Sequence, residues 1–374
     1  MFLSDPGVSS IAQTLLEHAW VPGTGFLLLL GEVGAPDLHE LVAALRPTGI
    51  PFVGGVFPAL IEGDETHETG ALVIPLPFAH PPAVVRDLDR PRPSSPLLNR
   101  CTPDSPDPDC GTALVLVDGL AAGIQPLLSE LFSRFGGAMK FLGGGAGSLS
   151  FRPMPCLFCA EGVLENAALV AFIRRGCSLG VRHGWKPILG PLVATRTRGP
   201  LVEELNWRPA FDVYKEAVKA DSGLDLTPET FPLHSKQFPL GMAREGAESV
   251  VRDPVSVTPE GSLRCVGEVP ENAVLSILKG ERQELVRAAA QAASAALEGI
   301  GGAAKEVLVA DCVSRALYHG DRFRDEILAA EGTLEEALPH VVPEGMLTVG
   351  EVASFTDGSL AFLNKTVVVG LLHE

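Results

Sequence analysis

The densest group of residues able to hold a charged ligand lies near the middle of the chain. Arg182, His183, Trp185 and Lys186 fall within five positions, at the predicted exit of a strand. A guanidinium can hold both oxygens of a carboxylate, whereas an ammonium acts as a single point charge. The indole can form an apolar wall with one polar edge. The group therefore predicts a small-ligand pocket that contains a cation site.

His183 has three interpretations that the sequence leaves open. It is a hydrogen-bonded structural histidine, a contact to a small ligand, or the axial ligand of a haem. The other histidines show no HxH or HxxxH spacing and no carboxylate at helical spacing. No other metal site is therefore predicted.

Further polar residues stand where predicted strands end, which is where α/β sheets usually bind ligands. These residues are Asp118, Asp311, Arg315, Glu351, Asn364 and Lys365. Together with Arg182 and Trp185 they offer cations for a carboxylate, carboxylates for an amine, and an aromatic wall. An amino acid needs all three. The alternative is that these residues form ion pairs that join two domains.

Motifs for catalysis are weak. The Gly-rich loop at residues 143–147 has no GK[ST] ending and no helix directly after it, which favours a tight turn over a phosphate loop. No GxSxG elbow occurs, and Cys312 lies in an apolar strand pattern that is typical of a packed thiol. Cys156 and Cys159 form a CxxC without a second pair, which favours structural thiols. The sequence therefore predicts no catalytic residue.

Composition excludes several partners. The chain has 374 residues, with 29 basic and 46 acidic side chains and a formal charge of −17. Such a field repels phosphate backbones and anionic membrane surfaces. The amino terminus lacks the basic region of a signal peptide, and apolar runs such as residues 26–31 are too short to span a bilayer. An odd count of seven cysteines without framework spacing fits a reducing cytoplasm.

Apolar runs and Gly-rich strand ends indicate an internal repeat. Residues 50–63 and 139–153 look like two copies of a strand that ends in glycines and leads into an excursion and an outgoing strand. Residues 347–372 suggest a third copy. Because hairpins supply several outgoing strands, we expect an α+β fold with mixed β-sheets and helices packed outside.

Two domains are expected from the length. An irregular Pro-containing segment at residues 221–240 places the boundary near residue 230, giving domains 1–230 and 231–374. Residues 80–110 are rich in proline and poor in apolar positions, so we predict a surface insertion there.

Several stretches resemble the FIST-domain proteins, a bacterial family described as sensors of small ligands. They include GVRHGWKP, TRTRGPLVEEL and RPAFDVYKEA, followed by residues 241–265, 311–317, 348–355 and 363–372. The resemblance covers most of the chain outside residues 80–110. It implies FIST N-like and FIST C-like regions, an amino-acid-like ligand and, for one branch of the family, haem.

The leading hypothesis is a cytoplasmic, non-catalytic sensor that binds a small metabolite and requires no cofactor. Its output would pass through a separate signalling protein. One alternative is a haem-binding sensor of nitric oxide, with His183 as the axial ligand. Another is an uncharacterised hydrolase or transferase.

Overall fold

The part of the chain that the structure describes forms three similar β-α-β units and one antiparallel barrel. The computed structural model describes residues 1–19, 21, 23–90, 110–245 and 247–374. Within these ranges, no helix combines the length and the apolar character needed to cross a membrane. The expected α+β fold, with mixed sheets and helices outside, is confirmed.

Unit 1 is built on two parallel strands joined by a helix. Its elements are β1 (Phe2–Leu3), α1 (Val8–His18), β2 (Thr24–Gly31), α2 (Leu38–Leu45), β3 (Phe52–Phe57), β4 (Leu60–Glu62), β5 (Glu65–His67) and β6 (Ala71–Pro77). Strands β2 and β3 run parallel, and β6 returns antiparallel to β2. The sequence of β2 is almost continuously apolar because both faces of this strand are covered.

Unit 2 repeats the same order. Its elements are β7 (Ala83–Val85), β8 (Thr112–Asp118), α3 (Ile124–Phe135), β9 (Lys140–Ala146), β10 (Leu157–Cys159), β11 (Gly162–Leu164) and β12 (Ala168–Ile173). Strands β8 and β9 are parallel, and β12 returns antiparallel to β8.

Unit 3 begins with β13 (Gly176–Arg182) and is then interrupted by the barrel. The barrel elements are β14 (Lys186–Arg198), β15 (Leu201–Leu205), β16 (Arg208–Pro209), α4 (Ala210–Ser222), α5 (Phe231–His234), β17 (Leu240–Arg244), β18 (Ala247–Val257), β19 (Leu263–Val266) and β20 (Val274–Lys279). The sheet closes because β14 pairs with both β20 and β15. Its apolar interior includes Tyr214 and Phe231 from the two helices.

The remainder of unit 3 follows the barrel. Its elements are α6 (Arg282–Glu298), β21 (Ala304–Cys312), α7 (Val313–His319), α8 (Arg324–Ala337), β22 (Pro343–Thr348), β23 (Glu351–Ser354), β24 (Leu360–Leu363) and β25 (Val367–His373). Strands β21 and β22 are parallel, and β25 lies between β21 and β13.

Each unit donates its hairpin to a neighbouring unit. The β4–β5 hairpin pairs with β22 of unit 3, β10–β11 pairs with β3 of unit 1, and β23–β24 pairs with β9 of unit 2. Gly54 in β3 makes room for this exchange, since a Cβ there would lie 2.2 Å from the Phe158 ring. The structure therefore confirms the predicted internal repeat, with a third copy.

The three sheets share one apolar core on their inner faces, formed by residues such as Leu29, Leu116 and Leu308. Helices α1 and α2, α3, and α6 with α8 cover the outer faces of the three units.

The predicted insertion at residues 80–110 is wrong at its start. Residues 83–85 form β7, which pairs with β12, and Val85 and Leu88 are buried in the core. Residues 91–109 lie outside the described residues.

The predicted boundary near residue 230 falls within the barrel segment, between α4 and α5, with barrel strands on both sides of it. Two-domain organisation stays a prediction.

Candidate functional site

Arg315 is the centre of a polar cluster buried inside unit 3. Its side chain is fully buried, and Nε donates to Glu326 Oε1 at 2.5 Å. Nη1 donates to the backbone oxygens of His183 at 2.6 Å and Lys365 at 2.9 Å. One guanidinium thus joins the end of β13, helix α8 and the turn between β24 and β25. Charge-assisted hydrogen bonds of this kind fix geometry strongly.

Two buried carboxyl groups flank this guanidinium. Asp311 Oδ1 lies 3.4 Å from Arg315 Nε, and His319 Nε2 lies 2.7 Å from Glu326 Oε2. Burial and the nearby charge of Glu326 hold the pKa of Asp311 well above its usual range. Burial also opposes ionisation of Glu326, but Arg315 and His319 outweigh it and lower the pKa of that carboxyl. These shifts favour the protonated form of Asp311 and the ionised form of Glu326, which pairs with Arg315.

Lys365 extends the cluster towards the barrel. Its fully buried Nζ lies 3.2 Å from Asp253 Oδ2 and 5.1 Å from the centroid of the Trp185 ring. Trp185 Nε1 donates to the backbone oxygen of Lys365 at 3.0 Å, and Ser314 Oγ donates to Asp253 at 2.8 Å. These contacts connect β18 of the barrel with unit 3. Asn364, next in the turn, is also buried.

Glu351 lies at the start of β23 and is fully buried. Its carboxyl oxygens accept from Thr348 Oγ1 at 2.7 Å and from the backbone N–H of Thr366 at 3.3 Å. Burial raises the pKa of Glu351 to about 8 in spite of these hydrogen bonds.

His183 is buried, with 4% of its surface exposed. Its Nδ1 accepts from the Trp185 backbone N–H at 2.9 Å, so Nε2 carries the proton and faces Ser249 Oγ at 3.2 Å. Burial lowers the pKa of His183 to about 4. A haem iron needs an imidazole nitrogen that is free to coordinate it. Both nitrogens of His183 are engaged, so this side chain does not fit the axial-ligand role.

The cavity beside Asp311 and Glu326 is too small for a metabolite. The cavity that Asp311 and Glu326 border measures about 10 Å³, which is close to the minimum for one water molecule. The sequence hypothesis that Asp311, Arg315, Glu351 and Lys365 contact a ligand is therefore not supported, because their side chains contact protein groups. The alternative, ion pairs that join parts of the chain, fits the geometry of Arg315 and Lys365, whereas Glu351 is held by hydrogen bonds.

Two further predicted residues lie apart from the cluster. The Asp118 carboxylate accepts from the backbone N–H groups of Leu120 and Asn166, and so fixes the turn after β8. Lys186 is exposed, and its Nζ lies 3.7 Å from Glu284 Oε2. Neither residue lines a cavity with Arg182.

Arg182 borders an open cavity of about 620 Å³, which we call the Arg182 cavity. It lies where β13, α6, the start of β18 and the end of β23 meet. Its lining residues are Leu179, Val181, Arg182, Ala247, Glu248, Gln291, Ala295, Ser354, Phe355 and Thr356. Sequence reasoning identified only Arg182 among them.

The charged groups of this cavity are held in place. Arg182 Nη1 donates to the backbone oxygen of Val181 at 2.8 Å, and no carboxylate of the described residues forms an ion pair with Arg182. Glu248 accepts from the backbone N–H groups of His183 at 3.1 Å and Gly184 at 3.5 Å. The Phe355 ring is fixed by Arg244, whose Cζ lies 3.6 Å from the ring centroid. The cavity thus presents one cation, one anion and an apolar wall.

Comparison with protein families gives two matches in sequence order. Residues 9–208 match the FIST N domain and residues 210–354 match the FIST C domain. The chain belongs to the FIST family. FIST domains are predicted sensory and signalling domains. No curated protein matches the chain.

The two FIST regions share β-sheets. Strands β14 and β15 of the FIST N match pair with β20 and β19 of the FIST C match. Strand β13 likewise pairs with β25 near the end of the chain. The Arg182 cavity is therefore built from both regions, with Arg182 from FIST N and Glu248 and Ser354 from FIST C.

Buried Glu351 should give the FIST protein a measurable pH dependence. Its pKa is about 8 in the folded protein against 4.5 when unperturbed, so between these values the folded state binds one more proton. The free energy of unfolding should therefore fall as the pH rises through this range, by about 1.4 kcal/mol per pH unit. Glu351→Gln should remove that contribution, measured by urea unfolding between pH 6.5 and 8.

The measurements stay above pH 6.5 because His183 has the opposite effect below it. Between about pH 4 and 6.5, His183 makes the free energy of unfolding rise with pH. The pKa of His183 falls from 6.5 to about 4 on folding, so its contribution to stability is lost as the pH falls through that range. The exposed Glu335→Gln variant serves as the control and should keep the parent slope. An unchanged slope in Glu351→Gln would show that Glu351 is ionised throughout.

Proposed function

We propose that this FIST protein is a non-catalytic sensor that binds an amino-acid-like metabolite in the Arg182 cavity. The observation that carries the proposal is that Arg182 and Glu248 line the same cavity without forming an ion pair with each other. A guanidinium matches the two oxygens of a carboxylate, and a carboxylate matches an ammonium group. Leu179, Val181 and Phe355 supply an apolar surface for a side chain.

The position of the cavity supports a signalling role. It lies at the meeting of the barrel, unit 3 and the hairpin that unit 3 donates to unit 2. A ligand there contacts elements from three parts of the fold, so it favours whichever arrangement of these elements binds it better. We expect a separate signalling protein to bind the arrangement that the ligand favours. The formal charge of −17 argues against nucleic acid as that partner.

The chemistry of the cysteines supports a reducing compartment such as the cytoplasm. Five buried cysteines among the described residues form no disulfide, and these are Cys156, Cys159, Cys177, Cys265 and Cys312. The pKa of Cys177 and that of Cys265 are raised to about 12 by burial, which keeps these thiols protonated and unreactive.

Binding of an amino acid should depend on the shape of the Arg182 guanidinium as well as its charge. We expect a titration calorimetry screen of the twenty standard amino acids to find at least one that binds the unaltered protein. Arg182→Ala should then weaken binding about 10- to 150-fold, which corresponds to the loss of about 1.5–3 kcal/mol for a hydrogen bond to a charged group. Arg182→Lys should recover only part of that affinity.

Two further variants make the screen decisive. Glu248→Gln should weaken binding of the amino acid but not of its deaminated analogue, since only the ammonium contacts Glu248. Lys186→Ala removes a neighbouring exposed cation outside the cavity and should leave affinity unchanged. Failure of all twenty amino acids to bind, or equal binding by Arg182→Ala, would refute the proposal.

A further inference from the structure

A second buried arginine stands in an unusual electrostatic position. Arg252 interrupts the apolar sequence of β18 and has only 4% of its surface exposed. Burying a charge is costly unless it is paired. The next residue, Asp253, faces the other side of the strand, as strand alternation requires, and there it meets Lys365 and Ser314. The guanidinium of Arg252 therefore forms no ion pair with the carboxylate of Asp253.

The protein partners of Arg252 are backbone carbonyls. Nε donates to the oxygen of Glu268 at 2.8 Å, and Nη1 donates to the oxygens of Val251 and Phe362, both at 3.0 Å. Among the described residues, no carboxylate oxygen comes within 4.0 Å of its guanidinium and no acceptor bonds to Nη2. The side chain is thus held rigidly while its charge stays unpaired.

Arg252 borders a separate cavity of about 290 Å³, which we call the Arg252 cavity. It lies between the barrel and the loop that leads from β8 into α3. Other lining residues include Ala122, Ile124, Val266 and Phe362. The walls are mainly apolar, and an unpaired guanidinium in an apolar cavity is a strong anchor for an anion.

The start of α3 adds backbone donors to the same cavity. The helix has 12 residues, its N-cap is Gly123, and no side chain caps it. The N–H groups of Ile124 and Gln125, both lining residues, have no acceptor among the described residues. Such free donors and the helix dipole favour a negative group. Glu268, exposed beside the cavity, disfavours a second negative charge on the ligand.

We propose that the Arg252 cavity binds a small organic monocarboxylate, with the carboxylate on Arg252 and the first turn of α3 and the apolar body against Ile124, Val266 and Phe362. This site is distinct from the Arg182 cavity and does not depend on the function proposed for it. Both cavities border β18 and the β23–β24 hairpin, so two ligands can act on the same elements.

The test uses carboxylates of increasing apolar size on the full chain. Acetate, butyrate, hexanoate and benzoate are titrated by calorimetry, with hexanamide and benzamide as uncharged counterparts and inorganic phosphate as an anion without an apolar body. Hexanoate or benzoate should bind at least tenfold more tightly than its amide and more tightly than phosphate. Equal affinity for acid and amide, or no binding of any carboxylate, would overturn the proposal.

Variants assign the binding to this cavity. Arg252→Met should weaken carboxylate binding at least tenfold, whereas Arg264→Met, on an exposed arginine of the adjacent strand, should not. Ala122→Phe fills the cavity from an exposed loop position and should also abolish binding, which keeps the test decisive if Arg252→Met fails to fold. Loss of binding in Arg264→Met, or full binding in Ala122→Phe, would contradict the assignment.

Discussion

Arg315→Met should lower the free energy of unfolding by about 3–5 kcal/mol, the range for breaking a buried ion pair by removing one partner. The substitution leaves the ionised carboxylate of Glu326 buried beside an apolar side chain. It also removes the donors to the backbone oxygens of His183 and Lys365. Urea unfolding followed by tryptophan fluorescence measures the effect, since Trp185 contacts the same cluster.

The control for this substitution is Arg322→Met. Arg322 is exposed just before α8, so its replacement should change stability by no more than about 0.5 kcal/mol. Adding Glu326→Met to Arg315→Met should recover part of the loss, because the unpaired charge is then absent. A loss below about 1 kcal/mol in Arg315→Met would show that the cluster does not brace unit 3.

The same experiment separates a structural cluster from a ligand site. If Arg315 acts only as a brace, the folded fraction of Arg315→Met should bind ligands as the unaltered protein does. A change in affinity without a change in stability would restore the hypothesis drawn from the sequence, in which Arg315 contacts the ligand.

Much of the fold was predictable because it depends on local patterns. The continuous apolar runs of β2, β8 and β21 identified buried strands, and the Gly-rich ends of β3 and β9 identified the repeat. The exchange of hairpins between units was not predictable. A short hairpin can pair with any open sheet edge, and only the packing of all three units selects which one.

The polar residues predicted at strand ends show that local sequence patterns have the same limit in predicting the site. The sequence predicted strand ends at Asp311, Arg315 and Glu351. Asp311 does lie at the end of β21, whereas Arg315 lies in α7 and Glu351 is the first residue of β23. Whether a strand end faces a cavity or the interior depends on what covers it. Here β18 of the barrel covers this part of unit 3, and Asp253 of β18 is far in the chain from Lys365, which it contacts.

The sequence around Arg252 contains a pattern that could have predicted its unusual environment. An adjacent arginine and aspartate within the run SVVRDPVSV cannot both face an apolar barrel interior, so at least one had to face another environment. Glu248, four residues earlier, gave no comparable signal, because a glutamate near a strand end is usually exposed.

Gly180→Ala should be as damaging as the loss of Arg315, for a steric reason. A Cβ on Gly180 would lie 1.7 Å from the backbone oxygen of Ala292 in α6. Helix α6 approaches β13 this closely because it presents a face of alanines, including Ala288, Ala292 and Ala296. Backbone atoms cannot rotate away as a side chain can, so the helix must shift. We expect a loss of about 3 kcal/mol or more, at the upper end for overpacked cores.

The matched control is Gly332→Ala in α8. No atom lies within 4 Å of the position that its Cβ would occupy, so this substitution should stabilise the protein by about 0.5–1 kcal/mol through the higher helix propensity of alanine. Gly180 is two residues from Arg182, and Gln291 and Ala295 of α6 line the Arg182 cavity. A shift of α6 should therefore also weaken ligand binding in the folded fraction. Equal stability of the two variants would mean that α6 and β13 are not in this close contact.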